Sequence, residues 1–171
     1  MSALPINPWS AAAAGSPHGV NLGALPAGGN RCLALIVTYE QTGGVRPDVS
    51  ASIGGQSASE RPIYHVSGST NFNGVDMFIW KADKIAAMSD AVIALSGANG
   101  YPAPSTNNGV QWTWAMLRDI DQATPHTTPG FKSGNSATTT IDNPSPQLSD
   151  YSVSIACSSA ESNNFTTPPA G

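Results

Sequence analysis

Charged side chains are scarce in this sequence. Asp, Glu, Lys and Arg make up 11% of its 171 residues, less than half of the roughly 25% that is typical of globular proteins. Helices of soluble proteins depend heavily on Glu, Lys and Arg, so their scarcity excludes an all-helical protein. The seven Lys and Arg residues stand singly, and the net charge is −4. Because binding to phosphates requires a basic cluster, the sequence argues against nucleic acid as a partner.

Long apolar runs are absent as well. A helix that spans a bilayer needs roughly 18 consecutive apolar residues, and no stretch of the sequence approaches this length, so we expect no membrane partner. The first nine residues, MSALPINPW, lack the basic start and apolar run of a secretion signal. Disorder is disfavoured because 40% of the residues are hydrophobic and charge is low. We therefore expect one soluble, globular domain without a secretion signal of its own.

Only two cysteines are present, Cys32 and Cys157. They lie in the first and last predicted strands, which often pair or face each other in a β-sandwich, so a disulfide fits this geometry. Since a secretion signal is lacking, two buried free thiols are the favoured alternative. No Cys and His spacing in the sequence is typical of a metal site.

Residues 1–30 are rich in Pro, Gly and Ala. Prolines at positions 5, 8, 17 and 26 disfavour helix and most ladder hydrogen bonds, so we interpret this segment as an extended arm. Trp9 is a large apolar residue that such a segment cannot bury locally. The arm either folds back so that Trp9 caps its own domain or docks on a neighbouring subunit, and the sequence leaves both alternatives open.

Residues 31–157 show the pattern of an antiparallel β protein. Short segments rich in β-branched and aromatic residues alternate with turns that contain Gly and Asn. The predicted strands are 31–40, 48–53, 57–59, 61–66, 75–81, 90–96, 110–117, 137–141 and 151–157, and residues 84–88 predict one helical turn. We expect an all-β fold, a single antiparallel sandwich of about eight strands, followed by a polar tail over residues 158–171.

Two aromatic pairs are candidate binding residues. Trp112 and Trp114 lie two positions apart and share one face of a strand. If that face is exposed it forms a platform for stacking sugar rings, and if it points inward both indoles are core, which is the commoner outcome. Phe78 and Trp80 share a face of another strand, whose opposite face is also apolar. A strand with two apolar faces indicates a subunit interface or an overlying loop.

Asp119 and Asp121 are candidate metal ligands. In an extended segment they point to the same side, where they could hold Ca²⁺ together with nearby carbonyl and Asn oxygens. They fit a glycosidase acid/base pair poorly, because such carboxyls must flank the sugar. A turn in which Asp caps its own backbone is the favoured alternative. His126 follows in a loop, and no G-x-S-x-G motif is present, so we expect no catalytic residues.

Four short motifs follow one another in the predicted domain. They are Arg31-x-Leu33-x-Leu35, Gly54-Gly55-Gln56, Ile79-Trp80 and Asp119-Ile120-Asp121-Gln122-Ala123-Thr124-Pro125. In this order they resemble a jelly-roll-type β-sandwich domain of large bacterial surface proteins and of structural proteins of tailed phages, over residues 31–157. Two positions depart from that pattern. Ile53 replaces the Tyr of a Tyr-Gly-Gly turn, and Asp119 replaces the Gly of a Gly-Val-Asp-Gln segment.

The resemblance implies a jelly-roll-like sandwich with a structural or binding role outside the cell, and no catalytic residues to carry over. The final strands that such domains usually carry are not recognisable after Cys157, so a partner chain could complete the sandwich by adding a strand to its edge. The lack of a secretion signal favours a phage product, because virions are released by lysis.

Together these features predict a non-enzymatic structural protein on the virion surface of a tailed phage or phage-like particle. A capsid-decoration, head-fibre or tail-surface subunit would contact other virion proteins and copies of itself through the arm of residues 1–30. Trp9, Phe78 and Trp80 are the candidate contact residues. The alternative is a carbohydrate-binding module or adhesin domain that uses the two tryptophans of the 110–117 strand and the two aspartates after it. A glycan-cleaving enzyme is disfavoured, and no cofactor other than Ca²⁺ is expected.

Overall fold

The computed structural model describes residues 4–7, 10, 13–42, 48–67, 71–97 and 110–125. These residues contain nine β-strands and one short helix. In chain order the elements are β1 (Leu4–Asn7), β2 (Ala13–Ala14), β3 (Cys32–Thr42), β4 (Ser50–Ile53), β5 (Gln56–Ser57), β6 (Glu60–Ser67), β7 (Asn71–Trp80), α1 (Ala82–Ala86), β8 (Ile93–Ser96) and β9 (Val110–Arg118). The predicted strands 137–141 and 151–157 and the tail lie outside the described residues.

The strands form two antiparallel sheets. The large sheet has the order β1-β9-β3-β7-β6, with β2 also paired to β9, and the small sheet has the order β5-β4-β8. The central strand β3 pairs with β7 over ten residues and with β9 over eight. The expected all-β class and the antiparallel sandwich are confirmed.

The main core lies between the two sheets. Alternate residues of β3 point into it, and β4 and β8 of the small sheet supply side chains from the opposite side. The largest side chains of this core that are less than 2% exposed include Leu33, Leu35, Tyr39, Ile53, Trp80 and Ile93. Since one face of each sheet contributes to the same cluster, the two sheets pack face to face.

The opposite face of the large sheet is buried too. Its central positions carry small or medium-sized side chains, none more than 4% exposed: Cys32, Ala34 and Ile36 on β3, Ile79 on β7 and Ala115 on β9. A strand that is buried on both faces reads as a continuous apolar run and does not alternate. The prediction that the strand around Phe78 is covered on both faces is confirmed.

The turn between β4 and β5 is formed by Gly54 and Gly55. Their φ angles are 52° and 78°, and a two-residue hairpin turn of this kind needs positive φ at both central residues. A Cβ atom at Gly54 would collide with the backbone of Asp90. The glycine therefore also allows the loop before β8 to lie close to this turn. The Gly-Gly pair in the sequence correctly predicted this turn.

The helix α1 begins two residues before the helical turn predicted over residues 84–88. Ile85, which is 4% exposed, attaches it to the main core. The N-cap residue of the helix is Lys81, and its side chain forms no capping hydrogen bond. Instead, the side-chain oxygen Oε1 of Gln122 accepts the N–H of Ala82 at 2.8 Å. This bond links the helix to the segment after β9, because helix N-termini leave N–H groups that need an acceptor.

Candidate functional site

The N-terminal arm lies along one edge of the large sheet. β1 pairs with the end of β9, where Leu4 lies opposite Arg118, and β2 pairs near its start, where Ala13 lies opposite Trp112. The N–H of Gly15 donates to the carbonyl of Val110 at 2.6 Å, at the start of β9. The arm therefore follows β9 over most of its length. Its prolines are compatible with this pairing, because an edge strand tolerates a missing N–H on its outer side.

The arm then crosses to the small sheet. The N–H of Gly19 donates to the carbonyl of Ile93 at 2.7 Å, and the N–H of Ile93 donates to the carbonyl of Val20 at 2.9 Å. Asn21 forms an antiparallel bridge with Val92. The arm thus covers the edge of β9 in one sheet and the edge of β8 in the other. We call this contact, formed by the described residues between positions 4 and 22 with β8, β9 and the residues just before β8, the arm interface.

Ser10 is the best-defined polar contact of the arm interface. Its N–H donates to the carbonyl of Trp114 at 2.9 Å, and its Oγ accepts the N–H of Trp114 at 3.2 Å. The hydroxyl of Thr113 donates to the carbonyl of Ser10 at 2.7 Å. Among the described side chains of the arm, Ala13, Val20 and Leu22 are partly buried against the main core. Backbone hydrogen bonds make up much of the arm contact that the structure describes.

The described part of the arm folds back on its own chain, which is one of the two alternatives that the sequence left open. Trp9 itself, for which a subunit contact was predicted, lies outside the described residues. The strand pairing of the arm differs from the expectation of few ladder hydrogen bonds in a segment rich in proline. The sequence contains no local signal for this pairing, since the partners Leu4 and Arg118 are far apart along the chain.

Asp119 and Asp121 do not form an extended pair. Asp119 has φ 57°, so the chain leaves the strand direction directly after β9. One carboxylate oxygen of Asp121 accepts the N–H of Ala123 at 2.8 Å, and the other accepts the hydroxyl of Thr124 at 3.0 Å. The bond from Ala123, then that from Thr124, lowers the pKa of Asp121. This arrangement is the turn in which Asp caps its own backbone.

The extended arrangement on which the Ca²⁺ hypothesis was based is not present at Asp119 and Asp121. Ile120, which separates the two aspartates in the sequence, is 9% exposed and packs against the large sheet. Oδ2 of Asp119 lies 3.8 Å from Nε of Arg118. Within the described ranges, no group of three or more His, Cys, Asp and Glu side chains is arranged to hold a metal ion. His126 lies outside those ranges.

Trp112 and Trp114 share the face of β9 that points between the sheets. Trp112 is 9% exposed and belongs to the main core, and Trp114 is partly buried against it. The register places Trp112 opposite Val37 and Trp114 opposite Leu35, both buried core residues. Of the two alternatives that the sequence left open for this pair, the structure shows the one in which both indoles point inward. The sugar-stacking platform would need the same face to be exposed.

Phe78 and Trp80, for which a subunit contact was predicted, are buried in the core of the chain. They are 2% and 0% exposed, their ring centroids are 6.4 Å apart, and the indole N–H of Trp80 donates to the carbonyl of Gln56 at 2.8 Å. The sequence correctly showed that both faces of this strand are apolar. It could not show that the chain itself covers both faces.

A buried ion pair was missed by the sequence analysis. Asp76 is 0% exposed on the inner face of β7, and one of its carboxylate oxygens accepts bonds from Nη2 and Nε of Arg61 at 2.7 and 3.1 Å. The guanidinium carbon of Arg61 also lies 5.2 Å from the centroid of the Phe78 ring. A single Asp within an apolar strand signals such a pair, because a buried charge requires a partner.

Cys32 is a free thiol on the outer face of the large sheet. Burial raises its pKa to about 11, although a long contact from the side-chain amide of Gln122, at 3.6 Å from Sγ, acts in the opposite direction. A thiol with a raised pKa is a poor nucleophile, because the thiolate is the reactive form. Cys157 lies outside the described residues.

A shallow groove of about 240 Å³ lies where the end of the arm meets α1. Leu25, Ile85 and Met88 line it, and Arg31 and Asp90 add one charge of each sign. Ligand pockets usually have volumes of roughly 300 to 1,000 Å³, so this groove is below the usual size. In the part of the chain that is described, no helix has the length and apolar character needed to cross a membrane.

The arm interface is therefore the most extensive candidate surface that the described residues offer. Comparison of the chain with protein-family models, with curated proteins and with solved structures finds no match.

Proposed function

We propose that this chain is a non-enzymatic structural subunit of the virion of a tailed phage or phage-like particle, and that it acts by packing against other proteins and copies of itself. The observation that carries the proposal is the arm interface. An N-terminal segment joins the edges of two sheets mainly through backbone hydrogen bonds. Strand addition at a sheet edge is also a common way for one chain to hold another.

The packing of the sandwich supports a structural role. The large sheet is buried on both faces, and such a slab is rigid because its side chains have few alternative arrangements. The motif order between Arg31 and Pro125 supports the virion assignment by its resemblance to tailed-phage domains. The low charge of the chain, 11% of residues, suits contacts that are made through backbone and hydroxyl groups.

Particle association tests this proposal directly. Lysate of the source is separated on a density gradient, and the particle band is analysed by peptide mass spectrometry. We expect the chain in this band at a fixed ratio to a major capsid or tail protein. Finding it only in fractions without particles would contradict the proposal.

Removing residues 1–30 tests the role of the arm in particle association. We expect the truncated chain to be lost from the particle band. The matched control is Ser16→Ala, which changes an exposed arm residue whose Oγ accepts only a 3.3 Å bond from the N–H of His18. Circular dichroism of both variants separates loss of assembly from loss of folding. Normal assembly of a folded truncated chain would show that the arm is not the anchor.

A further inference from the structure

We propose that the arm is exchanged between two copies of the chain, so that residues 4–22 of each copy pair with β8 and β9 of the other. The proposal deepens the structural role given above, on which it rests, because it names a second copy as the partner at the arm interface. Two-fold dimers are the commonest closed assemblies, and exchange of an identical element is a low-cost way to form them.

The contacts of the arm can be transferred without change. They consist of backbone pairing to β8 and β9, the Ser10 bonds, and partly buried side chains such as Val20 and Leu22. None of them depends on which copy supplies the arm. The sheets keep their edges covered in both arrangements, which matters because uncovered edges pair with other chains.

The connector between the arm and β3 is long enough for exchange. It comprises residues 23–31, between Leu22, whose N–H donates to the carbonyl of Ala91 just before β8, and the first residue of β3, Cys32. Nine residues in extended form span up to roughly 30 Å. An arm released from its own sheet can therefore reach the same edge of an adjacent copy.

The connector is tightly folded when the arm pairs with its own chain. Asn30 adopts φ 44°, a left-handed conformation that costs Asn less than most other residues but more than glycine. Its carbonyl accepts the N–H of Ile120 at 3.0 Å, and Nη1 of Arg31 donates to the carbonyl of Pro26 at 2.6 Å. Strained connectors favour exchange, because extending the connector releases the strain.

A mixed cross-linking experiment tests the exchange. Ser10→Cys and Thr113→Cys are prepared as two separate chains in a Cys157→Ala background, since the hydroxyls of Ser10 and Thr113 are 3.2 Å apart. The two chains are unfolded, mixed, refolded together and oxidised. A disulfide between positions 10 and 113 can then form only between different copies. The double variant, which carries both cysteines in one chain, shows how readily this bond forms.

We expect a covalent heterodimer on a non-reducing gel, with the 10–113 linkage identified by peptide mass spectrometry. For the unmodified protein, we expect light scattering to give a mass of twice the 17.5 kDa of one chain. A mixture without heterodimer, together with a monomeric mass for the unmodified protein up to millimolar concentration, would overturn the exchange. If the heterodimer forms but the protein is absent from particles, the virion assignment is overturned and the exchange is not.

Substitutions at the two non-glycine residues with positive φ provide a matched comparison. Asn30 and Asp119 are the residues of this type in the described part of the chain, and only Asn30 lies in the connector. We expect Asn30→Gly to lower the dimer association constant by about two- to fivefold, because glycine removes the strain that exchange would release. Asp119→Gly should leave the constant unchanged. Equal effects of the two substitutions would contradict a role for the connector.

Discussion

The two central strands of the large sheet and the N-terminal arm are held in the fold by different forces. β3 and β7 bury side chains on both faces, and Trp80, Phe78 and Leu35 are at most 2% exposed. In the arm, Ala13, Val20 and Leu22 are partly buried, and the described contacts include hydrogen bonds such as that from the N–H of Gly15 to the carbonyl of Val110. Apolar burial therefore stabilises the first region, and strand pairing stabilises the second.

This difference indicates which region can change partner. Moving β7 out of the sheet would expose two apolar faces at a cost of roughly 25 cal/mol for each Å². Releasing the arm breaks hydrogen bonds that water or another copy can replace, and each contributes only about 1 kcal/mol net. The core is therefore fixed within one chain, whereas the arm can be supplied by a second copy.

The largest effect is expected for removal of the indole from the core. Trp80→Ala deletes a fully buried ring and leaves the carbonyl of Gln56 without its donor, so we expect a loss of about 4 kcal/mol in the free energy of unfolding. Urea denaturation measures it. Trp80→Phe keeps most of the volume and should lose less than half as much. A loss below about 1 kcal/mol for Trp80→Ala would contradict the core position of this residue.

The buried ion pair should give the next largest effect. Arg61→Ala removes the guanidinium that bonds to the fully buried carboxylate of Asp76, and breaking such a pair costs about 3 kcal/mol. Arg118→Ala is the control, because Arg118 and Asp119 are 3.8 Å apart and partly exposed, and exposed pairs contribute less than about 1 kcal/mol. Equal losses in urea denaturation would show that burial of Asp76 has no energetic consequence.

The central strands were predictable from the sequence because their apolar runs are dense. The segments around Leu35 and Phe78, the Gly54-Gly55 turn and the tryptophans of β9 were all placed in strands or turns that the structure contains. Local composition is sufficient for such elements, since each run encodes its own conformation.

The contacts of the site were less predictable, because they depend on residues that are distant in the chain. The pairing of Leu4 with Arg118 has no local sequence signature, and the lone Asp76 in an apolar strand signals a buried partner without identifying it as Arg61. The two-sided apolar pattern at Phe78 left open whether another subunit or the chain itself provides the cover. The relative orientation of Asp119 and Asp121 depends on the backbone angle at Asp119, φ 57°. The spacing of the two residues in the sequence does not encode this angle.

The outer face of the large sheet should produce a pH effect of intermediate size. The pKa of Cys32 is raised by burial to about 11 from a reference value of 9.0, so the folded state holds this proton more tightly than the unfolded state. The stabilisation is complete below pH 9 and is lost as the pH rises to 11, by about 2 kcal/mol. Urea denaturation at pH 8 and 11 measures the loss.

Cys32→Ala separates this effect from the titration of other groups. The variant is less stable at pH 8, but its stability should fall less between pH 9 and 11 than that of the unmodified chain. Parallel pH profiles of the two proteins would contradict the burial of a neutral thiol on this face.

The smallest effect is expected in the arm, and it should be local. Ser10→Ala removes the hydroxyl that accepts the N–H of Trp114, which should destabilise the arm by about 1 kcal/mol. Because the core does not depend on this bond, hydrogen exchange at the amide of Gly15 should accelerate about fivefold, whereas exchange at Leu35 should not change. Ser16→Ala, whose hydroxyl is exposed and bonds only to the N–H of His18 at 3.3 Å, is the control. Equal acceleration at Gly15 and Leu35 would mean that arm and core open together, and the contrast between the two regions would then be wrong.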